Sequence, residues 1–202
     1  MVHRPHETGE LKNTTSKILI VLASASPRRK QLLTQAHIPF RVIPSRMVEP
    51  PAGNENPIAY ARKLAAAKAR VVAKKVRSGW VLGADTIVVL KGKIYGKPVD
   101  YPDACRILNR LQGSTHRVIT GVAMVNAATG RAKISHAVSR VTMRPMAPDE
   151  VHRYARRHHD KAGAYAVQEK KDPVVTKISG SYTNVVGLPM ELVQKLLSQH
   201  TG

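Results

Sequence analysis

The chain has 202 residues and 22.1 kDa, enough to bury a core without disulfides or structural metal. Hydrophobic residues make up 43% and charged residues 23%, ordinary for a globular domain, so disordered and collagen-like classes are out. Thirty-three Lys and Arg face 13 Asp and Glu, a net charge of +20, which favours phosphate-rich partners: nucleic acid, anionic membrane or small polyphosphates.

Residues 1–16 read as a flexible polar extension with no apolar run, neither a secretory signal nor a transit peptide. ILIVLAS (18–24) predicts a buried strand. Ser26-Pro27 then gives a helix cap and a proline at the first helical position, with the helix running to about Gln35. A strand near 39–44 and the loop MVEPPAGNENP precede a long helix over 57–77. GWVLGADTIVVLKGKIYGKP predicts a strand, a Lys-Gly-Lys turn and a short return strand. Residues 102–112 read as helix, 116–146 as a hairpin turning at Ala128-Thr129-Gly130, and 147–157 as helix. AGAYAVQ and VVTKISG are strand-like, and Pro189 opens a last helix ending near Ser198. Strands alternate with helices, and the hairpin must be antiparallel, so the fold class is α/β with a mixed sheet. No stretch approaches the ~20 apolar residues of a membrane helix. The lone Cys105 excludes an internal disulfide framework, reads as a core residue and fits a reducing cytoplasm. GxxxxGK[ST] and GxGxxG are both absent, and the nine histidines form no zinc spacing.

Four places break local rules. Arg28, Arg29 and Lys30 load the first turn of a helix, which prefers carboxylates. They make either a phosphate site or a solvated basic helix. Asp85 sits in the apolar run VLGADTIVVL, where an ionised carboxylate costs several kcal/mol unless it meets a metal or cations. The alternative there is a bend beside Gly83. Lys68 interrupts the apolar stripe of Ala61, Leu64, Ala65 and Val72, so it either snorkels or reaches a negatively charged cleft that Glu49 could join. Ser181-Tyr182-Thr183-Asn184 places four polar side chains between apolar segments, suited to recognising a base or sugar, or else to a solvent-facing strand.

LASASPRRKQLL (22–33), EPP with NPIAYARKLAAAKA (49–69), VLGADTIVV (81–89), YGKP (95–98), LQGSTHRVITGV (111–122), DKAGAYAVQ (160–168) and ISGSYTNVVGLP (178–189) occur in that order. As a set they resemble the Maf family of nucleoside triphosphate pyrophosphatases, in the branch acting on dTTP and UTP. The resemblance spans residues 17–199 and implies a single domain over 17–202, a twisted mixed sheet with flanking helices, and two lobes around a deep cleft, as in ITPase-like folds. It also implies a homodimer in the cytoplasm, and hydrolysis of a nucleoside triphosphate to monophosphate and pyrophosphate with Mg²⁺ or Mn²⁺. Carried over by position, Asp85 looks like the general base, with Lys68 and Lys97 beside it in catalysis. Ser26, Arg28, Arg29, Thr86 and Gln168 match substrate-binding positions. Glu49 and Asp85 match the metal site. The chain departs from the family pattern before DKAG, where Tyr154-Ala155-Arg156-Arg157-His158-His159 is short and basic, and after Gln168, where Glu169 replaces glycine. Two other functions compete: a nucleic-acid-binding protein or regulator that retains the fold, suggested by the net charge, and a filter for modified nucleotides.

Overall fold

The computed structural model describes residues 19–158, 161–167 and 174–199. The extension expected over 1–16, and Asp160 and Gln168, lie outside the described residues. Strand β1 (Ile20–Leu22) leads to Ser26, whose Oγ accepts from the Arg29 backbone N–H and caps helix α1 (Pro27–Gln35). β2 (Phe40–Val42) follows, then α2 (Pro57–Ala73), capped by Asn56. β3 (Trp80–Leu90) turns through Lys91-Gly92 into β4 (Lys93–Tyr95). Asp100 caps α3 (Tyr101–Leu111). β5 (Thr115–Asn126) and β6 (Ala132–Met143) form the long hairpin, followed by α4 (Pro148–His158). β7 (Val175–Ser179), α5 (Tyr182–Val186) and α6 (Met190–Ser198) complete the order.

The sheet has seven strands in the order β2-β1-β3-β5-β6-β7, with β4 beside β3. β1 runs parallel to both β2 and β3, while β3 to β7 pair antiparallel, so the sheet is mixed as the sequence implied. Two elements differ from expectation. α2 ends at Ala73 rather than 77, because the buried stripe stops at Val72 and Ala73 while Lys74, Lys75 and Arg77 are exposed. Of AGAYAVQ, the described residues 162–167 form no strand. Gly163 and Ala164 both have left-handed backbones (φ 76 and 57), which extended pairing cannot hold, and residues 162–164 form a 3₁₀ turn.

Helix α2 lies unusually close to the sheet. A methyl group on Gly83 would strike Ala65 O and approach Ala69 N to 2.8 Å; one on Gly121 would strike Ala61 O. Gly121 is the register partner of Asp85 on β5. Two glycines opposite a row of alanines thus set the helix deep, directly over Asp85. The other face of β3 packs Leu82 and Ala84 against Ile20, Leu22, Leu188 and Val193.

Candidate active site

β1 pairs with residues 80–82 of β3, and β4 with 88–90. Between them, from Gly83 to Ile87, the edge of β3 away from β5 has no ladder partner among the described residues. The cleft opens at that gap, with a volume of about 1100 Å³. Asp85 and Thr86 occupy the gap. Because strand side chains alternate, Asp85 faces α2 and Thr86 faces the side of α5.

On the α2 side, Asp85 is buried but its carboxylate meets the Lys68 ammonium at 2.5 Å. Glu49 Oε1 lies 2.6 Å from the same Nζ. Lys68 therefore does not snorkel: its position in the apolar stripe sends it into the cleft, between two carboxylates. Burial raises the Asp85 pKa above its ordinary value; the charge and hydrogen bond of Lys68, then Arg29, oppose this, and Glu49 adds to it. The Tyr60 hydroxyl donates to Pro50 O at 2.8 Å and pins the loop that delivers Glu49.

On the other side, Arg29 binds three segments at once. Its Nε donates to Gly187 O at 2.8 Å, Nη1 to Ser24 Oγ at 3.1 Å and Nη2 to Thr86 Oγ1 at 3.2 Å. Burial lowers its pKa and the Asp85 charge opposes that, but a guanidinium stays protonated. Thr86 and Thr120 share a hydrogen bond of 2.9 Å, and Thr120 Oγ1 donates to Asn184 O at 3.1 Å. Arg28, Ser26, Lys97, Arg46 and Lys161 also line the cleft, so cations heavily outnumber Glu49 and Asp85 there.

The structure brings Ser26, Arg28, Arg29, Glu49, Lys68, Asp85, Thr86 and Lys97 to one cleft. The polar run 181–184 is not part of that lining and does not serve as a base-recognition cluster. Ser181 caps α5, and Thr183 Oγ1 accepts from Met190 N. Asn184 is fully buried, donating to Val118 O and Ser139 Oγ at 3.1 and 3.0 Å. These groups satisfy backbone in a tight corner. Cys105 is half-buried against the core and 3.7 Å from His152 Nδ1. Ser24, Arg46, Tyr60 and Thr120 were missed. Thr120 becomes visible only through its register with Thr86. Ser24 and Tyr60 look like ordinary turn and helix residues in the sequence.

Among the described residues no group of three His, Cys, Asp or Glu could hold a metal ion. Glu49 and Asp85 converge as two oxygen donors, which fits a hard divalent cation that takes one or two carboxylates and completes its shell with water and substrate phosphates.

A mixed α/β fold whose cation-walled cleft opens on a buried carboxylate has the site of a protein that binds small anions. The chain belongs to the Maf family: the family model described as Maf-like protein matches residues 19–200. The dTTP/UTP pyrophosphatase of Moorella thermoacetica is 45% identical over 181 residues, 89% of this chain and 93% of that protein. The dTTP/UTP pyrophosphatase of Geobacter sulfurreducens is 45% identical over 180 residues, 88% of this chain and 94% of its own length. The solved Ham1 protein of Staphylococcus aureus shares the fold at a TM-score of 0.53 and 17% identity, covering 90% of this chain and 99% of that one.

Proposed function

We propose that the chain hydrolyses dTTP, UTP or a related canonical or modified nucleotide to its monophosphate and pyrophosphate. The observation that carries this reading is the buried Asp85 carboxylate, held by Lys68 at the floor of a cation-lined cleft. Water must attack the α-phosphorus while pyrophosphate leaves with its charge neutralised. Asp85 orients the water and takes its proton; the Lys68 ion pair fixes the carboxylate in place. Arg28 at the α1 N-terminus and Lys97 across the gap stabilise the phosphate charge as the anhydride breaks. Arg29 and Ser26 shape the α1 entrance, and Thr86, a substrate-binding position by resemblance, takes the sugar or base side. Glu49 and Asp85 would hold the Mg²⁺ or Mn²⁺ of the resemblance, which when bound supplies further charge neutralisation at the phosphates. Gln168 enters only by resemblance, as a base-selecting position.

Asp85→Asn tests this. Pyrophosphate release from dTTP and UTP with Mg²⁺ should fall by about 100-fold or more; undiminished turnover removes Asp85 from the chemistry. A panel of canonical and modified triphosphates, each with Mg²⁺ and Mn²⁺, fixes base preference and metal together. A homodimer and a cytoplasmic location belong to the same proposal, supported by the family and the lone cysteine; sedimentation at micromolar protein tests the first, and fractionation the second.

One observation favours a second activity. Arg117 and Arg140 are exposed and directly opposed across β5 and β6, a like-charge pair that destabilises a bare sheet. β5, β6 and β7 contain no carboxylate at all. A salt-dependent titration with duplex DNA tests nucleic-acid binding there: tight binding at physiological salt without pyrophosphate release favours this reading over the first.

A further inference from the structure

Arg46 lines the cleft on the loop between β2 and α2 and belongs to none of the motifs above. Its backbone has φ 48, a left-handed conformation that most residues bearing a Cβ avoid and that suits glycine or, among the rest, asparagine. Its guanidinium has no ion pair or hydrogen bond among the described residues. Lys68 and Arg29, by contrast, are held by protein acceptors. Lys91 has the same φ of 48 in the surface turn between β3 and β4, so the backbone alone marks no ligand site; at Arg46 it coincides with a place in the cleft wall and a guanidinium without a partner among the described residues. A cation whose aim matters is held in such a conformation by what surrounds it, as strained residues at ligand sites are.

The surroundings fix that aim. Three residues after Arg46, Glu49 is tied to Lys68 at 2.6 Å, and Tyr60 ties the next residue, Pro50. Three residues span at most about 10 Å, so Arg46 is kept near the ion-pair centre. The two sides of β3 differ in what they can hold. On the α5 side Val118, Val185 and Val186 offer apolar surface beside Thr86, and the Arg29 guanidinium there is already held by protein acceptors; on the α2 side Lys68 is tied to Glu49 and Asp85, which leaves Arg46 in the cleft lining with its donors uncommitted.

We infer that Arg46 binds the β- and γ-phosphates of the substrate, and so reads phosphate-chain length and holds the departing pyrophosphate. The inference rests on the proposed pyrophosphatase reading. Its test does not need turnover: inorganic pyrophosphate and the nucleoside monophosphate are titrated calorimetrically, with Mg²⁺, into the intact chain and into Arg46→Gly and Arg46→Lys. Glycine relieves the left-handed strain, so Arg46→Gly should melt no lower than the parent. It should bind pyrophosphate about tenfold or more weaker, the loss of one charged hydrogen-bond partner, and bind monophosphate unchanged. Arg46→Lys, which keeps the charge but not the planar fork, should fall between. In turnover, KM for the triphosphate should rise in Arg46→Gly. Pyrophosphate affinity equal in parent and Arg46→Gly overturns the inference, as does an equal loss for pyrophosphate and monophosphate. If the parent binds pyrophosphate through Arg46 yet releases none from any triphosphate, it is the pyrophosphatase reading that fails.

Discussion

Lys68→Met tests the electrostatics of the site most directly. Methionine keeps an unbranched apolar stem, so the packing of α2 over Gly83 and Gly121 is preserved and the ammonium alone is lost. At an effective dielectric of about 20, opposite charges about 3 Å apart attract by about 5 kcal/mol. Burial offsets part of this, and breaking a buried pair from one side costs about 3–5 kcal/mol, because the other ion is left uncompensated. Asp85, 5% exposed, would be that ion. Burial already raises its pKa, and Lys68 is the strongest opposing influence, so the variant raises it further. At about 1.4 kcal/mol per pH unit, the acid limb of kcat/KM should move upward by about two pH units, since Asp85 must be ionised to take a proton. The stability effect has a definite sign. A carboxylate whose pKa is raised on folding binds protons more tightly in the native state. Its contribution is therefore present at low pH and lost as pH rises through the raised value, and the variant loses more of it. Adding Asp85→Asn to Lys68→Met should restore stability near neutral pH by removing the stranded charge. Pyrophosphate release across pH, with denaturant unfolding at about pH 5 and about pH 8, supplies both readouts. An acid limb that overlays the parent's, together with no preferential loss of stability at the higher pH, would refute the ion-pair argument.

Gly121→Ala places a methyl group against Ala61 O and 2.7 Å from Arg62 N, backbone that cannot swing aside. The variant should lose about 3 kcal/mol, roughly 6–12 °C in Tm, and its kcat should fall as α2 lifts Lys68 from Asp85; a calorimetric scan and one rate measurement check both. His116 is buried with its Nε2 2.7 Å from the Tyr165 hydroxyl, and burial lowers its pKa to about 4. The unfolded chain takes up this proton near pH 6.5 and the native chain only near pH 4, so about 3 kcal/mol of stability should drain away as pH falls across that window. His116→Gln should flatten that slope in difference curves against the parent, in which the opposite contribution of Asp85 cancels; an unchanged slope removes His116 as its source.

Local rules carried much of this fold. Ser26-Pro27, Asn56-Pro57 and the Lys91-Gly92 turn sit where capping and turn chemistry place them, and apolar periodicity found α2 and β3. The rule-breaking residues were also legible: Asp85 and Lys68, each costly alone, are 17 positions apart and find each other. What stayed hidden depends on distant approach. Ser181 to Asn184 read as a recognition cluster because their partners, the Val118 carbonyl and the Ser139 hydroxyl, lie 40 or more positions away. The 162–164 turn looked like a strand because Ala164 adopts a left-handed backbone that composition does not favour. Thr120 carries no signal until Thr86 is set opposite it.

The placement of the chemistry follows from where the sheet is interrupted. A strand paired on both edges through 83–87 would leave no opening between its neighbours, and Asp85 would be an uncompensated charge in a dry core. Because β1 stops at Leu22 and β4 pairs only from Val88 onward, that edge of β3 meets the SASPRR turn instead, whose positive helix end and arginines favour an anion. The glycine–alanine contact then lowers α2 until Lys68 reaches Asp85 from one face, while Arg29 ties Thr86 to Gly187 on the other. A single strand thus presents a carboxylate to one half of the cleft and a hydroxyl to the other. On the proposed reading, that division is what lets adjacent residues, Asp85 and Thr86, hold different roles.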